Sequence, residues 1–218
     1  MAGRKDEPMM ALRSTIKRTI KNLFLVLVLP LFCVYWLLSW GGRSDGTFQS
    51  FSQFLSLFPG KTGSYIRAAF YRLACADTSD DISVGFLTIF SHRNTTIRRG
   101  VYIGPQCNIG MCEIGEDTLL GSGVHILSGN KQHRFSDPDT PIQEQGGAFQ
   151  KVRIGRDCWL GNNATVLTDL ADKTLIAAGS VVTRPSACGD IFAGNPAKPL
   201  KNRFNLQTPQ TPVTSNDQ

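Results

Sequence analysis

Three histidines are the side chains of this sequence best suited to moving a proton, because an imidazole titrates close to pH 7. They are His92, His125 and His133. A neutral imidazole beside a hydroxyl group can take its proton as the oxygen attacks an electrophile. His133 lies in a polar segment, residues 127–150, and His125 stands just before that segment. His92 lies further toward the N-terminus and is expected to be structural.

Polar side chains in the same segment could contact a substrate. Glu144 and Gln145 precede a pair of glycines in a stretch that is expected to be flexible. They could orient the hydroxyl groups of a substrate or the imidazole of His133. An ordinary solvated loop is an equally good interpretation, and the sequence leaves both open.

The histidines lie in or next to a stretch of sequence in which aliphatic residues recur every six positions, and the structure of this stretch must position them. The six-residue interval separates the members of four runs: Ile97, Ile103 and Ile109; Ile114, Leu120 and Ile126; Ile154, Leu160 and Val166; Ile176 and Val182. A period of six fits neither an α-helix nor an isolated strand, whose periods are about 3.6 and about 2. It is typical of a parallel β-helix, in which short strands joined by tight turns point one aliphatic side chain per face inward.

The fifth position of several hexads is small, and its side chain is also expected to point inward. These positions are Cys107, Thr118, Cys158, Ala164 and Ser180. The two cysteines among them are therefore interpreted as packing residues and not as nucleophiles. The segment 127–150 interrupts the repeat, and a loop of this length within a regular solenoid is usually functional.

The later repeats resemble those of the hexapeptide-repeat acyltransferases, which include galactoside, maltose and serine acetyltransferases. The resemblance rests on IGRDCWLGNNATV at Ile154–Val166, IAAGSVVT at Ile176–Thr183 and AGNPAKPLKNR at Ala193–Arg203. It is greatest for bacterial exopolysaccharide and lipopolysaccharide O-acetyltransferases of the colanic-acid type, and it covers residues 82–204. It implies a left-handed β-helix and a homotrimer with active sites between neighbouring subunits.

The same resemblance implies transfer of an acetyl group from acetyl-CoA to a sugar hydroxyl in cell-surface polysaccharide biosynthesis, with no metal. Related enzymes carry the catalytic histidine on an extended loop, so we expect His133 to be the general base. His125 is the alternative base or a second histidine of the same site. Galactoside-type members carry an asparagine on the coil before this loop, but Gly123 stands at that place by the sequence register.

Coenzyme A binding is expected along the later coils. Trp159 follows an inward position and should therefore point outward, where it can line a cleft. In the family, amides near the coil corners bind the pantetheine arm, which points to Gly161, Ala178 and Gly179. Late basic residues, above all Arg184 and Lys198, can meet the phosphates.

The N-terminal part of the chain is expected to associate with a membrane. Residues 23–40 read LFLVLVLPLFCVYWLLSW, and a straight helix of this run extends about 27 Å, just under the thickness of the bilayer hydrocarbon. Residues 1–22 carry six basic and two acidic side chains, so most of the net charge of +6 lies beside this run. That placement favours a membrane surface over nucleic acid. A signal peptide is the alternative, although no small-residue cleavage site follows.

The membrane topology is left open between two arrangements. Counting of positive charges puts the N-terminus in the cytoplasm, and a simple span would place the remaining domain outside. That conflicts with a cytosolic co-substrate and with six cysteines that are expected to be free thiols. A helix broken at Pro30 could instead re-enter and return to the same face. The predicted location is the bacterial inner membrane, with the catalytic domain on the cytoplasmic side.

Residues 47–76 predict amphipathic helices, since Phe48, Phe51, Leu55 and Phe58 recur at helical spacing. These helices could lie in the membrane interface or pack on the following domain. The polar tail, residues 205–218, is expected to be disordered. Functional alternatives are N-acetylation of an amino sugar, a non-catalytic trimeric scaffold, and a zinc enzyme of the carbonic anhydrase type that would use all three histidines.

Overall fold

Three helices precede the repeat in the computed structural model, which describes residues 7–206 and their side chains from residue 15 onward. They are α1, Glu7–Leu38; α2, Asp45–Ser56; and α3, Gly60–Ala74. Helices α2 and α3 lie in the stretch where amphipathic helices were predicted, residues 47–76. Most of the tail that was predicted to be disordered, residues 207–218, lies outside the described residues, as do residues 1–6.

Helix α1 is continuous through Pro30. The hypothesis of a helix broken at this residue is therefore wrong. A proline removes one backbone donor from a helix, but neighbouring packing can hold the helix together across that gap. Val28 and Tyr35, on either side of Pro30, are buried against the rest of the protein. The helix also begins well before residue 23, because part of the basic segment is helical.

The three helices pack together through aromatic side chains and cover the first coil of the repeat. The ring of Tyr35 lies edge-on to that of Phe70, 5.4 Å between centroids, and Phe51 stacks on Phe70 at 6.0 Å. The hydroxyl of Ser52 accepts a hydrogen bond from the backbone N–H of Phe90, 2.8 Å away. The ring of Tyr71 on α3 also lies 4.4 Å from that of Phe90, so both α2 and α3 pack on the following domain.

Arg67 joins the helices to the first strand of the repeat. Its guanidinium is 1% exposed and donates to the carbonyl oxygens of Val84, Leu55 and Phe58 at 3.0, 3.1 and 2.7 Å. The Leu55 carbonyl is in the last turn of α2 and the Phe58 carbonyl lies just after it, and a positive charge is favourable at the C-terminal end of a helix. Burial lowers the pKa of Arg67 from its usual value, and the three acceptors offset the cost of that burial.

Fifteen short strands follow, with a loop between the eighth and the ninth. They are β1 Ser83–Val84, β2 Ile89–Phe90, β3 Thr96–Ile97, β4 Tyr102–Ile103, β5 Asn108–Ile109, β6 Cys112–Ile114, β7 Leu119–Leu120, β8 His125–Ile126, β9 Val152–Ile154, β10 Trp159–Leu160, β11 Thr165–Val166, β12 Leu175–Ile176, β13 Val181–Val182, β14 Asp190–Gly194 and β15 Ala197–Asn202.

The strands stack into three sheets, which we call faces A, B and C. Face A has the order β1-β4-β7-β10-β12-β14-β15, face B the order β2-β5-β8-β11-β13, and face C the order β3-β6-β9. All neighbours are parallel except β14 and β15. Strands β1 to β11 visit the three faces in turn, so the chain winds as a three-sided parallel β-helix. After β11, the isolated parallel bridge of Leu170 with Ile154 continues face C in place of a strand. The antiparallel β15 closes the C-terminal end of the β-helix.

The predicted inward positions form the core of this coil. All eleven aliphatic residues of the six-residue repeat are at most 2% exposed. The five small positions are buried as well, with Ala164 at 0% and Cys158 at 2%. The hydroxyl of Thr118 donates to the carbonyl of Gly155 at 2.8 Å, which satisfies the buried polar group. The burial of these side chains confirms the inward positions that the six-residue period predicts.

Adjacent leucines on β7 provide a direct test of this inward column. Leu120 is 0% exposed and Leu119 is 44% exposed. Leu120→Ala should lower the free energy of unfolding by about 2–5 kcal/mol, because it leaves a cavity in the column. The matched change Leu119→Ala should lower the free energy of unfolding by less than about 1 kcal/mol. Chemical denaturation of the two variants measures the difference, and equal losses would contradict the inward assignment.

An ion-pair cluster links α1 to the start of the β-helix and predicts a dependence on pH. The ammonium groups of Lys17 and Lys21 donate to Asp81 Oδ1 at 2.8 and 2.7 Å, and they lower the pKa of Asp81 to about 2. A carboxyl group whose pKa is lower in the folded than in the unfolded protein stabilises the fold at pH values above its unfolded-state pKa. This contribution is lost as the pH falls toward the folded-state pKa. Because the cluster is partly exposed, its contribution should be about 1 kcal/mol or less.

Asp81→Asn should therefore be less stable than the wild type at neutral pH by this small amount. The difference should disappear as pH falls from about 4 to about 2. Thermal denaturation across that range measures it, with Asp80→Asn as a neighbouring control. A difference that persisted at pH 2 would contradict the ion-pair origin.

Candidate active site

Face B presents polar side chains in register on neighbouring strands. Asn108 on β5 pairs with His125 on β8, and His125 pairs with Thr165 on β11. Each precedes a buried aliphatic residue, so its side chain points outward from the coil. Parallel neighbours are about 4.8 Å apart, which brings the carboxamide of Asn108 close to the imidazole of His125.

A cleft of about 140 Å³ opens beside this row. Its lining includes His92, Asn108, His125, Ser128 and Gln132. His92 Nδ1 lies 3.5 Å from the hydroxyl oxygen of Ser128, and its ring lies 5.0 Å from that of Phe149. The structure thus brings His92, which was expected to be structural, to the wall of the same cleft as His125.

His133 lies on the loop 127–150, and its side chain is exposed. Two backbone hydrogen bonds pair the segments on either side of the loop. Arg134 N donates to Gly146 O at 2.9 Å, and Ala148 N donates to Lys131 O at 2.8 Å. A side chain at position 147 would place its Cβ 1.8 Å from the carbonyl oxygen of Gln132, so only glycine permits this close approach. His133 is next to Gln132 in the chain but does not itself line the cleft in this single subunit.

Gln145 holds the outer part of the loop together. Its Oε1 accepts from the backbone N–H of Asp137 at 3.1 Å, and its Nε2 donates to the carbonyl oxygens of Asp137 and Thr140, both at 2.7 Å. These bonds favour a structural role for Gln145 over the substrate contact that the sequence suggested. Glu144 is exposed at the end of a short 3₁₀ turn, Ile142–Glu144. Elsewhere in the loop, the hydroxyl of Thr140 donates to the carboxylate of Asp137 and lowers the pKa of Asp137.

The residues expected to bind coenzyme A lie mainly on face A and at its corner with face B. Tyr102, Leu119 and Trp159 form an outward column that is 44%, 44% and 53% exposed. A Cβ at Gly161 would lie 2.5 Å from Ala178 N, so these two residues stack on successive coils.

The remaining coenzyme A candidates are spread over the C-terminal end of the coil. Ala178 and Gly179 are exposed at the corner between faces A and B. Lys198 lies exposed on β15 at the end of face A, opposite Ala193. Arg184 follows β13 at the end of face B and is therefore separate from the others.

Within one subunit, the histidines and Trp159 do not share a surface. His125 points outward from face B, whereas Trp159 points outward from face A. Two faces of a three-sided coil are oriented in different directions. One subunit by itself therefore does not bring these side chains into a single site.

A larger groove, about 780 Å³, lies between α1, α3 and the beginning of face A. It is lined by charged residues (Lys17, Lys21, Lys61, Arg67 and Asp81) and by apolar and aromatic residues that include Tyr65, Val84 and Tyr102. Tyr102 belongs to the outward column of face A. The groove therefore opens at the start of the column, and Trp159 lies two strands, about 10 Å, further along it.

Asn108 is the residue that the sequence register missed. Gly123 was aligned with the asparagine of galactoside-type enzymes, but it sits at a corner with φ +68° and offers no side chain. Asn108 lies one coil before His125, and only the observed pairing of β5 with β8 puts the two side by side. The sequence signal that could have identified Asn108 is its distance from His125, which equals one full coil of the repeat.

The zinc alternative has no support in the structure. Within residues 7–206, no group of three or more histidine, cysteine, aspartate or glutamate side chains could hold a metal ion. The six cysteines are free, with Cys33 and Cys188 exposed and the other four buried. Burial raises the pKa of Cys112 to about 12, which is consistent with packing and not with nucleophilic chemistry.

Comparison with known proteins identifies the family. The family model described as "Hexapeptide repeat of succinyl-transferase" matches residues 151–184. A chloramphenicol acetyltransferase of Morganella morganii is 33% identical over 145 residues, which cover 57% of this chain and 69% of that protein. The fold, the repeat and this relative show that the chain belongs to the hexapeptide-repeat acyltransferase family.

Two further similarities are to acetyltransferases that differ in their named acceptors. A putative lipopolysaccharide biosynthesis O-acetyl transferase, WbbJ, of Escherichia coli strain K12 is 33% identical over 127 residues, covering 55% of this chain and 63% of that protein. The solved galactoside acetyltransferase in complex with coenzyme A aligns with a TM-score of 0.55 at 16% identity, covering 75% and 82% of the two chains. The chain spans less than two thirds of the length of several curated relatives that it matches.

The role of Gln145 can be tested with its neighbour as a control. Gln145→Glu removes the donor of two hydrogen bonds and places a carboxylate against carbonyl oxygens. We expect faster amide hydrogen exchange by about tenfold or more across residues 134–148, because each lost bond contributes about 1 kcal/mol. Glu144→Gln, at an exposed site, should leave the exchange unchanged. Equal amide hydrogen exchange in the two variants would contradict the proposed role of Gln145 in holding the loop together.

Proposed function

We propose that this protein is an acetyl-CoA-dependent O-acetyltransferase that modifies a sugar hydroxyl during cell-surface polysaccharide biosynthesis. The observation that carries the proposal is the cleft on face B, where two histidines and an asparagine meet at the root of the loop that holds His133. The similarity to the lipopolysaccharide enzyme supports the acceptor class. The coenzyme A complex of the galactoside enzyme supports the co-substrate.

The proposed reaction needs only general base catalysis and stabilisation of an oxyanion. A neutral imidazole takes the proton of the acceptor hydroxyl as its oxygen attacks the thioester carbonyl of acetyl-CoA. A side-chain donor can stabilise the tetrahedral oxyanion, and the Asn108 carboxamide stands in register beside His125 for this task. Collapse of the intermediate expels the coenzyme A thiolate, which takes up the proton from the imidazolium.

His133 is the proposed general base, and His125 is the alternative. His133 stands on the loop and has an exposed imidazole, so it can reach a site completed by a neighbouring subunit. His125 is already in the cleft, beside Asn108. The loop also exposes Phe135 and Ile142, at 78% and 56%, and apolar side chains this exposed suit a contact with another copy.

The proposed assembly is a homotrimer of left-handed β-helices. Placing face A of one subunit against the loop of its neighbour covers the exposed column of Tyr102, Leu119 and Trp159. It also brings the proposed coenzyme A residues Trp159, Gly161, Ala178, Gly179 and Lys198 near the histidines. Arg184, at the end of face B, could meet the phosphates from the other side of such a cleft.

The acceptor is proposed to be a lipid-linked glycan at the cytoplasmic face of a bacterial inner membrane. Helix α1 contains a segment, Thr15–Leu38, that is long and apolar enough to cross a membrane, and an 18-residue window of it has a mean hydropathy of 2.0. The groove beneath it combines lysines with aromatic walls, which suits a phosphate joined to an apolar chain. It leads along face A toward Trp159.

Acetylation of a small hydroxylated antibiotic is a second candidate. It is supported by the similarity to the chloramphenicol acetyltransferase of Morganella morganii. This reaction also transfers an acetyl group to a hydroxyl, so the same histidines would serve it. N-acetylation of a nucleotide-linked amino sugar is less well supported, because residues 7–74 form helices and turns and not a nucleotide-binding βαβ unit.

Release of free coenzyme A from acetyl-CoA tests these proposals. Full-length protein is assayed with lipid-linked glycan, with soluble sugars, with an amino sugar and with chloramphenicol. His133→Ala should lower kcat by about 10²–10⁴-fold, the usual effect of losing a general base. Asn108→Ala should lower kcat by about 10²–10³-fold, as expected for an oxyanion donor, with little change in KM.

The outcomes separate the candidates. Activity that survives His133→Ala but not His125→Ala would transfer the role of base to His125. Activity with chloramphenicol alone would favour the second candidate, and activity with an amino group alone would favour N-acetylation. No release with any acceptor would support a non-catalytic scaffold.

A further inference from the structure

The apolar part of α1 is bound at both of its ends to the first coil of the β-helix. Lys21 Nζ donates to Asp81 Oδ1 at 2.7 Å, just before β1. At the other end, the carbonyl oxygen of Gly42 accepts from the guanidinium of Arg93 at 2.6 Å, and Arg93 N donates to the Asp45 carboxylate at 3.0 Å. Asp81 and Arg93 flank β1 and β2, in the first coil of the β-helix.

The middle of α1 is bound as well. The ring of Phe24 stacks on Tyr65 of α3 at 5.2 Å, and Val28 and Tyr35 are 4% and 1% exposed. From Lys21 to Leu38 the helix covers about 26 Å. Over this length, one side of α1 lies against α3 and α2.

A membrane-crossing α1 is incompatible with these contacts. The hydrocarbon core of a bilayer is about 30 Å thick, so a spanning helix holds its two ends in water on opposite sides. Its partners Asp81 and Arg93 would then also lie on opposite sides, and the first coil between them would lie in hydrocarbon. The buried polar groups and exposed backbone turns of that coil could not be satisfied there.

The outer side of α1 nevertheless requires an apolar environment. No charged residue occurs between Lys21 and Arg43. On this stretch Val26, Leu27, Leu37 and Leu38 are each at least 60% exposed, and Trp40 is 84% exposed. Tryptophan at the end of such a helix is typical of the boundary between headgroups and hydrocarbon.

The charges at the two ends favour lipid over a second copy of this helix. Exposed Lys17 and Arg18 precede the apolar stretch, and exposed Arg43 follows it. Two copies would bring like charges together in either orientation, parallel or antiparallel. Anionic headgroups complement both ends at once.

We propose that α1 lies in the plane of one leaflet, with its apolar outer side in lipid, and does not cross the bilayer. Both ends of the helix and the β-helix domain are then on the same side of the membrane. The inference rests on the membrane association in the proposed function, but not on the reaction. It replaces both the simple span and the helix broken at Pro30.

Cysteine labelling in native membranes tests this topology on the full chain. The background carries Cys33→Ser and Cys188→Ser, because these are the two exposed thiols and the remaining four are buried. Thr19→Cys and Gln49→Cys then place one thiol at an exposed position on either side of the apolar stretch, without removing a charge. Restoring Cys188 marks the β-helix domain, and restoring Cys33 marks the outer side of α1.

A membrane-impermeant maleimide is applied to sealed spheroplasts and to inside-out vesicles. We expect the thiols at positions 19, 49 and 188 to react at least about tenfold faster in inside-out vesicles. Cys33 should react at least about tenfold more slowly than Cys188 there, because lipid covers it. Labelling of positions 19 and 49 from opposite sides would overturn the proposal in favour of a span.

Two other results would also overturn it. Cys33 reacting as fast as Cys188 in membranes would show that the outer side of α1 is not in lipid. Recovery of the protein as a soluble oligomer, without lipid, would show that another copy covers this side. These readouts need neither acetyl-CoA nor an acceptor, so a failure of the proposed topology is distinguishable from a failure of the proposed acetyl transfer.

Discussion

The inward column of aliphatic side chains is the constraint on which the rest of this structure depends. Each hexad contributes one such residue to one face, and every one of them is essentially removed from water. Because the column fixes three faces in register, the residue before each aliphatic position must point outward. This places Asn108 beside His125 on face B, and Trp159 above Leu119 on face A. The chemistry of the surface therefore follows from the packing of the interior.

The ends of the column are closed in different ways, and the difference has consequences for function. At the C-terminal end, β15 folds back antiparallel on β14. At the N-terminal end, three helices cover the first coil, and the buried guanidinium of Arg67 ties α2 and α3 to β1. Helix α1 lies on these helices with one side buried and the other apolar and exposed. The same cap that completes the core thus offers the surface that we assign to lipid.

The interruption of the repeat provides what the regular coil cannot. A coil of two-residue strands presents outward side chains in straight rows, which do not converge on a substrate. The loop 127–150 leaves face B at the end of β8, which carries His125. His133 lies on one of two loop segments that backbone hydrogen bonds hold together. Gln145 tightens its outer turn. The loop is in this way ordered within one subunit, although its apolar tips at Phe135 and Ile142 remain uncovered.

The coil, the inward residues, the helices of the cap and the loop with its histidine could all be predicted from the amino-acid sequence. These follow from periodicity, because a repeated six-residue spacing or a helical spacing of phenylalanines admits few folded arrangements. Tertiary structure alone decided that His92 joins the cleft, that Asn108 and not Gly123 stands beside His125, and that Gln145 is occupied within the loop. It also decided that α1 continues through Pro30 with both ends on one coil. Such facts depend on contacts between residues far apart in the chain, and local spacing carries no information about them.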